Sequence, residues 1–378
     1  MKNIVTTFSA VVCLTTALVF LGGCNAEKAM ARKVDSLHRK MITIDTHTDT
    51  ALDILRGKGE DELQVSFDKM LAGGLDAVFF AIYKGQGKRD DSTLVALADW
   101  TEEKLKAFAA YADASPKAER AFHPADVRRI KKEGKACVIQ CLENGYMVGR
   151  DLRNVERFYN LGARYITLSH NNNNDICDAG VRVDNPKKGF SSELEWDGLS
   201  PFGYQVVAEM NRLGMIIDVS HTADETVEDV LEASAAPIIA SHSCARALCD
   251  HPRNLPDELL RKIAAKGGVV QVTIYHGFVD KGDGTPLDVK LFCDHVEHIR
   301  DVAGVEHVGF GSDFDGGGGL EGINSALEVK NVTRELLRRG WSNHDIALFW
   351  GGNLLRVWEE VEAVAAKLSG TQISPVGN

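Results

Sequence analysis

The sequence predicts an α/β fold, a (β/α)8 TIM barrel, and three observations carry the prediction. Eight short runs rich in β-branched and aromatic residues recur at 41–49, 75–83, 136–144, 163–171, 215–221, 237–243, 268–275 and 307–315. The segments between them have helical periodicity or helical length. Nearly every run ends in a residue able to ligate a metal or move a proton. Near-continuous apolar stretches such as Val269-Val270-Gln271-Val272 suit parallel strands buried on both faces. An open α/β sheet with two extra strands is the structural competitor.

In chain order, the first segment stands outside the barrel. Lys2 gives a basic start, an apolar stretch covers 11–21, and Leu21-Gly22-Gly23-Cys24 follows. So short an apolar run suits a secretory signal better than a membrane span. The small residues before Cys24 are similar to a bacterial lipobox, whose cysteine becomes the lipidated first residue of the mature chain. An ordinary signal peptide with a chance cysteine is the alternative. The chain is thus expected to divide into a signal peptide at 1–23, a lipidated tether at 24–37, one (β/α)8 catalytic domain at 38–368 and a loose tail at 369–378. That reading expects an exported bacterial lipoprotein in the cell envelope, held to the membrane by acyl chains at Cys24.

The barrel helices are checked at their ends. Ser200 before Pro201 reads as an N-cap with proline in the first turn, and Gly214 as the residue past the helix end. Thr222 and Glu225 have capping-box spacing directly after His221, which sets His221 at the end of the fifth strand. The longest connection, 84–135, contains a helix over 94–112. The connection 172–200 is rich in Asn, Gly and Asp and reads as a loop. The glycine run 316–319 reads as a flexible loop after strand eight, since no phosphate-binding context accompanies it.

With 378 residues, 44% hydrophobic and 26% charged, the chain can bury one large core, and disorder is excluded as its explanation. A net charge of −11 weighs against a nucleic-acid binder. Cys13 and Cys24 precede the barrel. Cys137, Cys141, Cys177, Cys244, Cys249 and Cys293 lie at no zinc-ribbon spacing, and no pairing is assigned.

The polar strand ends carry the chemistry. Strand one ends Asp45-Thr46-His47-Thr48-Asp49, strand three Cys141-Leu142-Glu143, and strand four Leu168-Ser169-His170. Strand five ends Val219-Ser220-His221, strand six Ala240-Ser241-His242, and strand eight Gly311-Ser312-Asp313-Phe314-Asp315. Side chains two apart on a strand share a face, so Asp45, His47 and Asp49 are expected to point one way. In a barrel the C-terminal strand ends form one mouth. Read singly, His170 is a hydrogen-bonded structural residue and Glu143 a turn cap. Repeated at six strand ends, such groups point to a metal site. His47, Asp49, Glu143, His221 and His242 make an N/O ligand set suited to zinc, with manganese or cobalt as substitutes. One zinc needs only three protein ligands and a water, so five candidates indicate two metals. Glu143 is the choice for the bridge because a carboxylate has two oxygens to share. His123, His251, His276, His295, His298, His307 and His344 lack that placement and stay outside the metal site.

At these residues the sequence resembles the membrane dipeptidase (renal dipeptidase) family of the amidohydrolase superfamily, over residues 38–365. The motifs that carry the resemblance also include Glu143-Asn144-Gly145, Asp218-Val219-Ser220-His221, Ser241-His242-Ser243 and Arg253-Asn254-Leu255-Pro256-Asp257. The resemblance implies a zinc dipeptidase that cleaves the peptide bond of dipeptides, including those with a C-terminal D-residue, by a hydroxide shared between two metals. It implies that His47 and Asp49 hold one zinc, His221 and His242 the other, and Glu143 both. His170 would hydrogen-bond the substrate carbonyl oxygen. Arg253 would pair with the free C-terminal carboxylate, a use suited to its planar donor fork. Asp313 would carry a proton from the water to the leaving amine, with Asp315 as the reserve. No lysine stands at the end of strand four, where other binuclear members of the superfamily carry a carboxylated bridging lysine. Animal members are held by a C-terminal lipid anchor, whereas here the lipid signal is N-terminal. Residues 175–199 are expected to overhang the mouth and to govern substrate preference. The expected partners are a dipeptide and the membrane lipid, with room for a homodimer and none for nucleic acid.

Two other functions stay open on sequence. One is an amidohydrolase acting on a lactam, an N-acyl amino acid or a phosphoester; the other is an exported lipoprotein that binds small ligands for uptake. Arg253 favours a carboxylate-bearing substrate, although it could instead form a surface ion pair in the loop after strand six.

Overall fold

The computed structural model describes residues 26–370. The expected signal peptide, Cys24 and residues 371–378 of the tail lie outside the described residues. Nine strands are described: β1 (Ile44–Thr48), β2 (Ala77–Tyr83), β3 (Ala118–Arg120), β4 (Ala136–Glu143), β5 (Ala163–Thr167), β6 (Ile216–Asp218), β7 (Ile239–Ala240), β8 (Val269–Val272) and β9 (Val308–Phe310). All pair in parallel, and eight follow the path β1-β2-β4-β5-β6-β7-β8-β9. The path closes where Thr48 bridges Phe314 and the Asp49 N–H donates to the Phe314 carbonyl at 2.9 Å. The fold is a (β/α)8 barrel, and each barrel strand lies inside a run expected from the sequence.

The additional strand, β3, pairs with the start of β4 off the barrel path. It sits in the long 84–135 connection, and three residues are too few to show a periodicity. The helix expected there is present as Asp91–Asp113, capped by the Asp90 carboxylate on the Thr93 N–H. Helix Pro201–Leu213 also starts and stops as expected, with Ser200 accepting from the Gly203 N–H and Gly214 left-handed at φ 76°. The Thr222–Glu225 capping box does not form. Thr222 Oγ1 donates back to the Val219 carbonyl at 2.8 Å, and the helix begins at Asp224 with Ala223 as its cap.

The strands stop short of the ends of their runs, because side chains take over the backbone donors there. Asp218 accepts from the Ser220 N–H at 3.0 Å and the Ser241 N–H at 2.8 Å. Ser220 Oγ accepts from the His242 N–H at 3.0 Å, and Asp45 accepts from the Ser312 N–H at 2.8 Å. Released from the ladder without losing their bonds, the chain ends can turn toward the mouth.

One apolar layer fills the space between barrel and outer helices, and a second lies within the barrel. The inner layer includes Phe79, Ile139, Tyr165 and Ile239 with Trp358 and Val361 of the C-terminal helix Asn353–Leu368. The Trp358 ring is 5.7 Å from that of Phe79, so this helix plugs the barrel end opposite the polar strand ends. Residues 26–40 are helical. Val34 and His38 of this helix are buried, and Asp35 pairs with Lys330 at 2.9 Å. The packed unit therefore begins ahead of residue 38, and residues 26–37, expected as part of the tether, are helical. Among the described residues no helix is long and apolar enough to cross a membrane, and the six cysteines carry no disulfide.

Candidate active site

Glu143 is the last residue of β4, and it lies at the centre of the cluster. Its Oε1 is 3.1 Å from His221 Nε2 and 3.7 Å from His242 Nε2, while its Oε2 is 3.5 Å from His47 Nε2. His47 Nε2 is in turn 3.9 Å from Asp49 Oδ2 and 4.0 Å from Asp313 Oδ1. His170 Nε2 stands 3.8 Å from Glu143 Oε1. The structure thus gathers His47, Asp49, Glu143, His170, His221, His242 and Asp313 at one mouth. Asp45 does not join them. Its carboxylate turns to the Ser312 hydroxyl at 2.5 Å and bolts β1 to the chain beyond β9.

Three groups of potential ligands emerge: His47, Glu143 and His242; Glu143, His170 and His221; and His47, Asp49 and Asp313. Within each, one ligand atom per residue lies within 4.8 Å of the others. Among the described residues His47 Nε2, Asp49 Oδ1 and His221 Nδ1 are buried without a hydrogen-bond partner. The Nε2 atoms of His221 and His242 converge to 2.9 Å. Buried polar atoms are normally paired, so orphaned acceptors and converging imidazoles of this kind fit divalent cations, and the N/O donor set fits zinc-like ions.

The charges say the same. Burial works to lower the His47 imidazole, but the carboxylates of Glu143, Asp49 and Asp313 outweigh it and raise it to about 10. Burial works to raise Glu143, yet His47 and His221 hold it well below the usual carboxylate range. Asp49 is pushed well above that range by burial and by Glu143. Burial also raises Asp313, to about 7, against the pull of His47 and with the push of Glu143. Burial and the Arg253 charge drop His221 well below the ordinary imidazole value. The proton on His47 supplies positive charge among these carboxylates, and a cation held there would supply the same.

The backbone is bent to make this geometry. His221 and Asp313 have φ of 72° and 64°, left-handed values that are costly for residues with a β-carbon and that cluster at functional sites. The glycine run after Asp313 is no loose loop. A β-carbon on Gly316 would overlap Asp49 Oδ2 and Asp313 Oδ1, so the chain passes against both carboxylates where only glycine fits.

A cavity of about 710 Å³ opens over the cluster. Arg253 lines it and is 4% exposed, with Nη2 donating to the His242 carbonyl and the guanidinium 5.1 Å from the Phe278 ring centre. It is not a surface ion pair. Asp315 reaches the rim, but its oxygens accept from the Gln64 N–H at 2.9 Å and the Thr50 hydroxyl at 2.5 Å. Those bonds tie it to structure and leave Asp313 as the carboxylate facing the cluster. Val181, from the 172–200 connection, also reaches the cavity. Sequence reasoning missed Tyr83, His251, Tyr275 and Phe278 in the lining. Tyr83 ends β2 and Tyr275 ends the run 268–275, so both sit at strand ends that the sequence marks, and His251 stands two residues from Arg253; Phe278 lies in the short helix His276–Val279, which carries no such signal.

A (β/α)8 barrel with histidines and carboxylates converging at its C-terminal mouth fits a metal-dependent hydrolase. Residues 31–372 match the family model described as membrane dipeptidase, peptidase family M19. The chain belongs to that family and is a metallo-dipeptidase, a hydrolase acting on peptide bonds. It is 34% identical to dipeptidase 3 of Rattus norvegicus over 90% of this chain and 69% of the relative. It is 33% identical to dipeptidase tcpJ of Claviceps purpurea over 81% and 71% of the two chains. Among solved structures, the probable dipeptidase PvdM from Pseudomonas aeruginosa superposes with a TM-score of 0.80 at 28% identity, covering 89% of this chain and all of that one.

Proposed function

We propose that this dipeptidase works with two zinc ions, one held by His47 and Asp49, the other by His221 and His242, with Glu143 serving both. Manganese and cobalt are the substitutes that the same donors would accept. The observation that carries the reading is the placement of Glu143, whose two oxygens face different histidines, Oε1 toward His221 and Oε2 toward His47. When bound, the cations would supply the nucleophile by lowering the pKa of a shared water toward ~7 and would polarise the scissile carbonyl.

The remaining steps belong to the chain. Arg253, buried and short of partners, receives the free carboxylate of the dipeptide. His170 donates to the substrate carbonyl oxygen as negative charge develops on it. Asp313 takes the proton of the water and delivers it to the departing amine. The carboxylate contact alone does not depend on the configuration of the C-terminal residue, so dipeptides ending in a D-residue belong to the substrate class. The expected lipidation at Cys24 would hold the enzyme to the membrane of a bacterial envelope, and Cys24→Ser tests that by releasing active enzyme from the membrane fraction. Metal analysis tests the central reading. The purified chain should carry two zinc per molecule, lose hydrolysis on dialysis against a chelator and regain it with zinc; full activity in a metal-free preparation would sink it.

A further inference from the structure

We infer that Asp218 and Ser241 are positioning residues for the metal centre, which together keep the proton of His242 on Nδ1 and so present its Nε2 lone pair to the cation. The inference rests on His242 being a ligand, as proposed above. Neither residue lines the cavity, and both are fully buried.

One hydroxyl proton decides the tautomer. Ser241 Oγ lies 2.6 Å from Asp218 Oδ2 and 2.8 Å from His242 Nδ1, and a hydroxyl has a single proton to give. Asp218 is surrounded by donors: the N–H groups of Ser220 at 3.0 Å and Ser241 at 2.8 Å on Oδ1, and the Thr167 hydroxyl at 2.5 Å on Oδ2. A carboxylate in that setting only accepts, so the Ser241 proton points at Asp218. Ser241 Oγ then has only lone pairs left for His242, and Nδ1 must be the donor. That choice strips Nε2 of hydrogen. Nε2 is the atom that faces the cluster, 3.7 Å from Glu143 Oε1 and 2.9 Å from His221 Nε2. A partner on the outer nitrogen of an imidazole that fixes its tautomer and orientation is the general device by which proteins aim a histidine at a metal.

His47 has its Nδ1 proton fixed by a separate partner. The Tyr165 hydroxyl donates to the Thr46 carbonyl at 3.0 Å and so accepts from His47 Nδ1 at 2.7 Å. The two halves of the cluster are therefore aimed independently, and a fault in the Ser241 relay spares His47.

The test reads the tautomer and the affinity separately. In metal-free wild type at alkaline pH, nitrogen NMR of the histidine side chains, with His242 assigned by its loss in His242→Gln, should show the proton on Nδ1. In Ser241→Ala the population should shift toward Nε2–H, and affinity for zinc at one of two sites should fall about 10- to 100-fold. The other site should be unchanged, and Ser241→Thr, which restores a hydroxyl, should recover most of the loss. A proton on Nε2 in the wild type overturns the inference even if no variant folds. So does a Ser241→Ala protein with wild-type tautomer and zinc affinity at both sites. A wild type that takes up no zinc overturns the metal reading itself, which is a different result from a zinc-binding pair that cannot be told apart.

Discussion

Arg253 donates from Nη2 to the carbonyl oxygen of His242, 3.2 Å away, and among the described residues its Nε has no partner at all. A buried guanidinium tied to the backbone of a candidate ligand, with donors to spare, is placed to receive an anion beside the metal site. Burial pulls it down to about 10, so it stays charged at neutral pH.

Arg253→Met should lower kcat/KM for a free dipeptide by ~10²-fold or more, since losing one member of a desolvated charge pair costs about 2–5 kcal/mol. A dipeptide amide, which lacks the carboxylate, should be a poor substrate of the wild type and should lose much less in the variant. Metal content must be measured alongside, because the His242 carbonyl also loses its donor. Equal losses on both substrates, or wild type cleaving the amide as fast as the free dipeptide, would remove the carboxylate clamp.

Glu143→Gln takes one negative charge from among four histidines while keeping the volume. Metal per chain should fall below two under conditions that fill the wild type, and hydrolysis should fall with it. Double occupancy retained in this variant would mean that another group does the bridging.

The eight barrel strands were legible because apolar runs such as Val269-Val270-Gln271-Val272 declare themselves residue by residue, and β3 was not, because three residues declare nothing. The polar cluster was legible for a related reason: parallel strands of one barrel end at one mouth, so His47, Glu143, His221 and His242 needed no tertiary information to be grouped. What aims those histidines was hidden. Tyr165 reaches His47 and Ser241 reaches Asp218 across strands, and such pairs depend on register. The Thr222–Glu225 box failed because a spacing states that a cap is available, while Thr222 found a nearer acceptor in Val219. Phe278 comes from the four-residue helix His276–Val279, too short for a period to mark which side chain turns inward.

Gly316→Ala tests the close passage behind the carboxylates. An added methyl must displace Asp49 or Asp313, and overpacking of this kind costs about 1–3 kcal/mol. Activity should fall by at least about tenfold, with a modest drop in Tm that follows from the same strain. An alanine variant with wild-type kinetics would show that the carboxylates can move aside without harm.

The last prediction concerns His38, far from the chemistry, in the helix over 26–40. His38 Nδ1 can only donate to the Gly74 carbonyl at 2.9 Å, so in the neutral ring Nε2 accepts from the Thr333 hydroxyl at 2.8 Å, and that hydroxyl accepts from Trp350 Nε1 at 2.8 Å. Both nitrogens of the neutral ring are satisfied. Burial, reinforced by the charges of Lys330 and Lys131, brings it from 6.5 down to about 4 against the opposing Gly74 bond. Between those values the unfolded chain binds a proton that the folded chain refuses. Above pH 6.5 His38 therefore adds no pH dependence, and as pH falls from 6.5 toward 4 stability is lost, by about 3 kcal/mol in all and about 2 kcal/mol by about pH 5. His38→Gln can keep a donor for Gly74 and an acceptor for Thr333 but cannot titrate. Urea unfolding of the metal-stripped proteins at neutral pH and at about pH 5 should show the wild type losing about 2 kcal/mol more than the variant. Parallel losses would show that His38 is not the group being titrated.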